Sequence, residues 1–285
     1  MSPITTAPQD LAELTAAYSH TVQAIVDLGH SLREGDEELA TDCPGWSVKD
    51  QFAHVVSLEA WVQGETVPDI DVRGRAHVKS GLGAVVEKFL ESRRDRSLEE
   101  LLEELDSLST ARIAHLGAET TSPDDPALGP FGPTTLLGLM QNRVFDLWVH
   151  EQDIRGAIGR PGNLDSPGAA LTVQTLFAAL PRAVARTAQV PPGEAVILDL
   201  TGPVIGRAGV RVEERDGKPH GIPLFSGGSE DTAEHAPVVA TTITLSTQAA
   251  TRRAAGRIAT ADTHYTVVGD EDVARRVLDA LVIAP

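Results

Sequence analysis

With 285 residues, 41% of them hydrophobic and 23% charged, the chain can bury an ordinary core in two domains or one large one, and it is not disordered. Its formal net charge of -17 excludes a basic nucleic-acid face and disfavours an anionic membrane surface. Cys43 is the sole cysteine, which excludes an intrachain disulfide and a cysteine-built zinc cluster.

The first residues, Met1 to Gln9, lack the basic start and apolar stretch of a secretory signal, and no apolar run approaches the roughly 20 residues that cross a bilayer. A cytoplasmic protein without membrane partners is the expectation. A first helix is predicted from Asp10 to Arg33, with Leu11, Leu14, Val22, Ile25, Val26 and Leu28 as its apolar stripe. Thr41-Asp42-Cys43-Pro44-Gly45 reads as a turn. Ser47 then caps a second helix, with Asp50 completing a capping box, and that helix should end near Glu65. Residues 68 to 80 read as loop. A third helical region starts near Gly81 and restarts at Ser97, where Ser97 and Glu100 form another capping box. The acidic run Glu99-Glu100, Glu103-Glu104 reads as that helix's solvated face.

Residues 118 to 133, rich in Pro, Gly and Asp, read as a connection to a long helix from Thr134 to Gly159, which Gly159-Arg160-Pro161-Gly162 stops. Another helix is predicted from about Ser166 to Gln189. Pro191-Pro192-Gly193 is the clearest linker signal in the chain. Beyond it the period changes. Val196 to Leu200, Gly209 to Glu214, Val238 to Leu245 and Thr263 to Val268 read as strands, and Asp216-Gly217 as a hairpin turn. Ser246 and Asp270 cap two further helices, and Ser226-Gly227-Gly228-Ser229 reads as a loop. The expected organisation is an all-α domain over residues 1–190 and a small α+β domain over 194–285.

Asp146 and His150 stand four residues apart and project from one helix face, with Asp153 close by. His54 lies on the second helix. Two imidazoles and a carboxylate converging between helices would make a divalent metal site with open positions. The same pattern also fits a stripe that faces solvent, because Val144, Leu147, Trp148 and Ile154 fill the neighbouring apolar arc. Asp153 suits a place behind a ligand better than a place among them. No His-Glu-x-x-His motif, nucleophile elbow, phosphate loop or dinucleotide fingerprint is present. His20, His30, His77, His115, His220, His235 and His264 lack metal-like spacing.

Two segments carry a family resemblance. Cys43-Pro44-Gly45-Trp46-Ser47, running into Phe52-Ala53-His54, resembles the start of the second helix in mycothiol-dependent maleylpyruvate isomerases. Phe145-Asp146-Leu147-Trp148-Val149-His150 through Asp153 is similar to their second metal-binding helix. Ile243-Thr244-Leu245-Ser246, Ala255-Gly256-Arg257 and Val268-Gly269-Asp270 through Leu281 resemble their C-terminal domain. The resemblance implies a DinB-like four-helix bundle followed by a sterol-carrier-like α+β domain. It further implies a divalent metal, zinc in most members, held by His54, Asp146 and His150, with mycothiol as thiol cosubstrate. Asp146 departs from the family's glutamate by one methylene. The implied chemistry is cis–trans isomerisation of a maleylpyruvate-like dicarboxylate, or transfer of the thiol to a small electrophile. Arg143 or Arg257 are candidates to hold substrate carboxylates. The alternative is a non-catalytic metal- or ligand-binding module that keeps the bundle without the chemistry.

Overall fold

The computed structural model describes residues 5–225 and 239–284. The readings placed on Ser226 to Ser229, on His235 and on Val238 lie outside the described residues. The chain divides into two compact units, Ala7–Asn163 and Leu164–Pro285, the latter together with Met1–Thr6.

The first unit is helical. Helix α1 (Leu11–His30) starts at Asp10, whose side chain accepts from the Glu13 N–H. Helix α2 (Val48–Val62) opens on the capping box of Ser47 and Asp50. Helix α3 (Gly81–Glu91) is capped by Ser80, and α4 (Leu98–Leu116) by the Ser97–Glu100 box. Helix α5 (Leu136–Ala157) begins at Thr135. Helices α1, α2, α4 and α5 form a four-helix bundle in which α1 packs on α4 and α5, and α2 packs on the same two; α3 lies against α2. The acidic run of α4 is a solvated face, with Glu99, Glu100 and Glu103 exposed and Glu104 half-buried where it binds Arg93 and Arg96. The 118–133 connection holds a short hairpin that composition concealed, β1 (Pro126–Gly129) paired with β2 (Gly132–Thr135). Pro and Gly mask strand character there, and Gly132 supplies the positive φ of the turn.

Helix α5 is buried around most of its circumference. Arg143, His150, Glu151, Gln152 and Asp153 are buried beside Val144, Leu147, Trp148 and Ile154. The polar stripe read from the sequence therefore faces the interior rather than water. Buried polar groups on that scale need partners, and those partners build the site described below.

The second unit carries a five-stranded sheet in the order β5-β4-β3-β6-β7, formed by β3 (Glu194–Thr201), β4 (Ile205–Arg215), β5 (Lys218–Leu224), β6 (Val239–Leu245) and β7 (Tyr265–Val268). Strands β3 and β6 run parallel, and every other pairing is antiparallel. Asp216 and Gly217 both take positive φ, as the two-residue hairpin between β4 and β5 demands. Strand β5 escapes the sequence reading because Pro219, Gly221 and Pro223 interrupt it. It tolerates proline as an edge strand. Helices α6 (Pro167–Arg182), α7 (Thr247–Ala254) and α8 (Glu271–Ala280) complete the unit.

Helix α6 belongs to this second unit because it packs on β4, β5 and α7. The division at Asn163 thus lies well upstream of Pro191-Pro192-Gly193, which separates a helical segment from a strand within one unit. The segment Pro167–Thr187, 21 residues, is long and apolar enough to reach across a bilayer by length and composition, which corrects the reading that no apolar run approaches that length. Of its apolar window, 61% is buried within the protein, as in a core helix of an ordinary globular domain.

Candidate metal centre

The bundle brings His54, Asp146 and His150 together. One donor atom from each lies within 4.8 Å of the other two. His54 Nε2 is 3.7 Å from Asp146 Oδ1, and His150 Nε2 is 3.5 Å from the same oxygen. The two imidazoles meet edge to face with ring centroids 4.3 Å apart. His54 and His150 are buried, whereas the Asp146 side chain keeps 19% exposure and opens the cluster on its side. For metal–nitrogen and metal–oxygen bonds of about 2.05 Å, the edge of a tetrahedron is about 3.4 Å. The two edges from Asp146 Oδ1 to the imidazoles are close to that value.

Each donor is presented by a neighbour. Arg143 Nη1 donates to Asp146 Oδ2 at 2.8 Å, which leaves Oδ1 turned toward both imidazoles. The Gln51 amide donates through Nε2 to Thr41 Oγ1 at 2.8 Å, so its Oε1 faces His150 Nδ1 at 2.7 Å. Asp153 Oδ2 stands 3.3 Å from the same nitrogen. Two acceptors at Nδ1 put the proton there and leave the Nε2 lone pair aimed at the cluster. His54 differs. Both its ring nitrogens are buried without a hydrogen-bond partner, an orphaned pair that a cation would satisfy at one end.

Electrostatics separate the two histidines. Burial, reinforced by the charge of His150, lowers the His54 pKa to about 4, so this ring is a neutral donor at physiological pH. Burial also works against a charged His150, but the Asp146 and Asp153 carboxylates outweigh it and raise its pKa. For Asp146 burial again opposes charge, and His150 and His54 outweigh it, holding the carboxyl well below its usual range.

Behind the cluster lies a buried ion-pair network. Glu59, fully buried on α2, accepts from Arg112 Nε at 2.9 Å and Arg143 Nε at 3.1 Å. Arg143 therefore links Glu59 to Asp146. At 0% exposure it is not placed to reach a dissolved carboxylate. Arg257 donates to the Ala255 carbonyl in the second unit. Glu151, beside His150, faces Arg155 and Asn163, which help line a separate cavity of about 370 Å³. Cys43 is half-buried in the loop before α2.

The spacing of the sequence pointed to the three clustered residues but not to Gln51, Glu59, Arg112 or Trp46. Nothing in local periodicity distinguishes a buried Gln or Glu from a solvated one, and only the capping signal at Ser47 fixed the phase of α2. His77, without metal-like spacing, binds Glu87 at 2.9 Å rather than the cluster.

Comparison with known proteins bears on this same region. Residues 18–155 match the mycothiol maleylpyruvate isomerase N-terminal domain. This part of the chain is similar to that family's N-terminal domain. The matched span contains His54, Asp146 and His150 and all four bundle helices except the first turns of α1 and the last residues of α5. Two solved structures share the fold. A crystal structure of mycothiol-dependent maleylpyruvate isomerase superposes with a TM-score of 0.53 at 18% identity, covering 92% of this chain and 95% of that one. A histidine-to-alanine mutant of that enzyme gives a TM-score of 0.54 at 17% identity with the same coverage. No curated protein sequence matches the chain.

Proposed function

We propose that the protein is a divalent-metal enzyme that uses a low-molecular-weight thiol, mycothiol by family, to isomerise a maleylpyruvate-like dicarboxylate or to capture a small electrophile. The observation that carries this reading is the convergence of His54, Asp146 and His150 donor atoms within 4.8 Å, two of them on buried imidazoles and one imidazole otherwise unpartnered. The donor set of two nitrogens and one carboxylate oxygen suits zinc with an open position. A zinc ion held by these three residues would supply a Lewis acid that lowers the pKa of a thiol.

The protein's own groups prepare that site. Arg143 fixes the carboxylate of Asp146, and Gln51 with Asp153 fixes the tautomer of His150. Burial keeps His54 neutral, so no proton competes for it at neutral pH. In an isomerisation, the thiol sulfur adds to one carbon of the cis double bond, the resulting single bond rotates, and the same carbon–sulfur bond breaks. The thiol is regenerated and the trans product leaves with no net redox change. In a transfer, the carbon–sulfur bond persists. The reading places the protein in the cytoplasm, where such thiols act.

The shorter Asp146 side chain favours a second reading, a metal- or ligand-binding module without turnover. One assay separates them. Maleylpyruvate and a generic electrophile are offered with and without mycothiol to the wild type, His54→Ala and His150→Ala. The enzyme reading expects thiol-dependent turnover that both substitutions abolish. Turnover indifferent to both substitutions contradicts it.

A further inference from the structure

The two histidines of the cluster are held by different means, and that asymmetry points to a residue outside the donor set. A metal-binding histidine ordinarily donates its second ring N–H to an acceptor that fixes ring orientation. His150 has this support from Gln51 and Asp153. His54 has none, since neither of its nitrogens meets a hydrogen-bond partner.

What His54 has instead is an aromatic wall. The Trp46 ring lies 4.8 Å from the His54 ring, centroid to centroid, at an interplanar angle of 38°. It reaches His150 at 5.9 Å. Both separations fall in the range where aromatic pairs attract.

Trp46 is itself fixed at three points. Its Nε1–H donates to Glu87 Oε2 at 3.0 Å. Glu87, buried on α3, also accepts from His77 at 2.9 Å and from Arg94 at 3.1 Å. The backbone just before it is pinned by Gly45, at φ +83°, where a side chain would stand 2.2 Å from His77 Nδ1. The Trp46 carbonyl accepts from the Thr41 N–H at 3.1 Å and from the Thr41 hydroxyl at 3.0 Å. That hydroxyl oxygen in turn accepts from Gln51, the residue that holds His150. One loop, Thr41 to Trp46, thus supports both imidazoles, one through a hydrogen-bond chain and one through a ring face.

We propose that Trp46 is a positioning residue for His54: its indole, anchored on Glu87, holds the imidazole in the orientation that turns Nε2 toward Asp146 Oδ1. The functional weight of this role rests on the metal-centre reading, but the positioning itself does not.

The test compares the wild type with Trp46→Ala and Trp46→Phe. In metal-free protein, ¹H–¹⁵N correlation spectra of the histidine rings report the orientation of His54 directly. Zinc affinity is then measured by competition with a chromophoric chelator. Trp46→Ala is expected to remove the ring-current shift of the His54 signals and broaden them, and to weaken zinc binding by about tenfold to a hundredfold, the range for loss of a ligand's support. Trp46→Phe keeps a ring face and should lie closer to the wild type in both respects. Should Trp46→Ala fail to fold, as judged by amide dispersion, Trp46→Leu carries the same expectation, having bulk without a ring. Unchanged His54 signals in the ringless variant overturn the proposal, and so does unchanged zinc affinity where the wild type binds zinc. If the wild type takes no zinc, the metal-enzyme reading falls, and the metal-free spectra alone still decide the role of Trp46.

Discussion

At the scale of single residues, the proposed metal site is also a site for a proton. In the absence of a cation, Asp146 and His150 favour their charged forms while His54 stays neutral. A metal ion must displace the His150 proton. The sign follows directly: the His150 pKa is raised above 6.5, so affinity is flat above that raised value and falls as pH drops through it, by about tenfold per unit. Chelator competition across a pH series measures this, and an affinity independent of pH between 5 and 8 contradicts it. The i, i+4 spacing of Asp146 and His150 put them on one face, but a wheel cannot say whether a polar face meets water or a polar interior. The distinction is made by Gln51, Glu59 and Arg112, which sit on other helices and are invisible to any local pattern. The family resemblance, resting on Phe145 to Asp153 and Cys43 to His54, supplied what periodicity lacked.

At the scale of elements, α2 and α5 are held together by charge in the bundle interior. Burial by itself would raise the Glu59 pKa, but Arg143 and Arg112 outweigh it, so it lies below the ordinary 4.5. A depressed carboxylate pKa contributes stability that is present above 4.5 and is lost as pH falls through the folded-state value. Glu59→Gln removes the shared anion and sets an amide NH₂ against a guanidinium. It should cost about 3–5 kcal/mol, measured by urea denaturation at pH 7. It should also flatten the acid limb of the stability curve below about pH 4.5. A loss under 1 kcal/mol would show the network to be dispensable. Legibility differed sharply between elements. Capping boxes at Ser47 and Ser97 announced α2 and α4 because side-chain–backbone capping is a local event. Strand β5 and the β1–β2 hairpin were lost because proline and glycine, which mark breaks elsewhere, sit on edge strands and turns here.

At the scale of the whole molecule, a helical bundle is followed along the chain by an α+β unit; the change of period at residue 194 marks where the strands of the sheet begin, while the division between the units lies upstream of it. The assignment of α6 did not follow, since punctuation by Pro191-Pro192-Gly193 marks where a helix stops and not which sheet it covers. Its packing has a narrow tolerance at Gly221 on β5, where an added Cβ would lie 2.4 Å from the Pro181 carbonyl oxygen. Backbone cannot yield as a flexible side chain does. Gly221→Ala should therefore lower stability by about 1–3 kcal/mol, read as a lower thermal midpoint, and an unchanged midpoint would mean that α6 and β5 separate freely.

The account as a whole turns on the capacity of the bundle to hold one cation. Elemental analysis of protein purified without added metal, then after zinc loading and dialysis, measures this most directly for the wild type, His54→Ala and His150→Ala. The expected result is one zinc per wild-type chain and a loss of retained zinc in either variant. A wild type that retains none after loading, or variants that retain as much as the wild type, would contradict it.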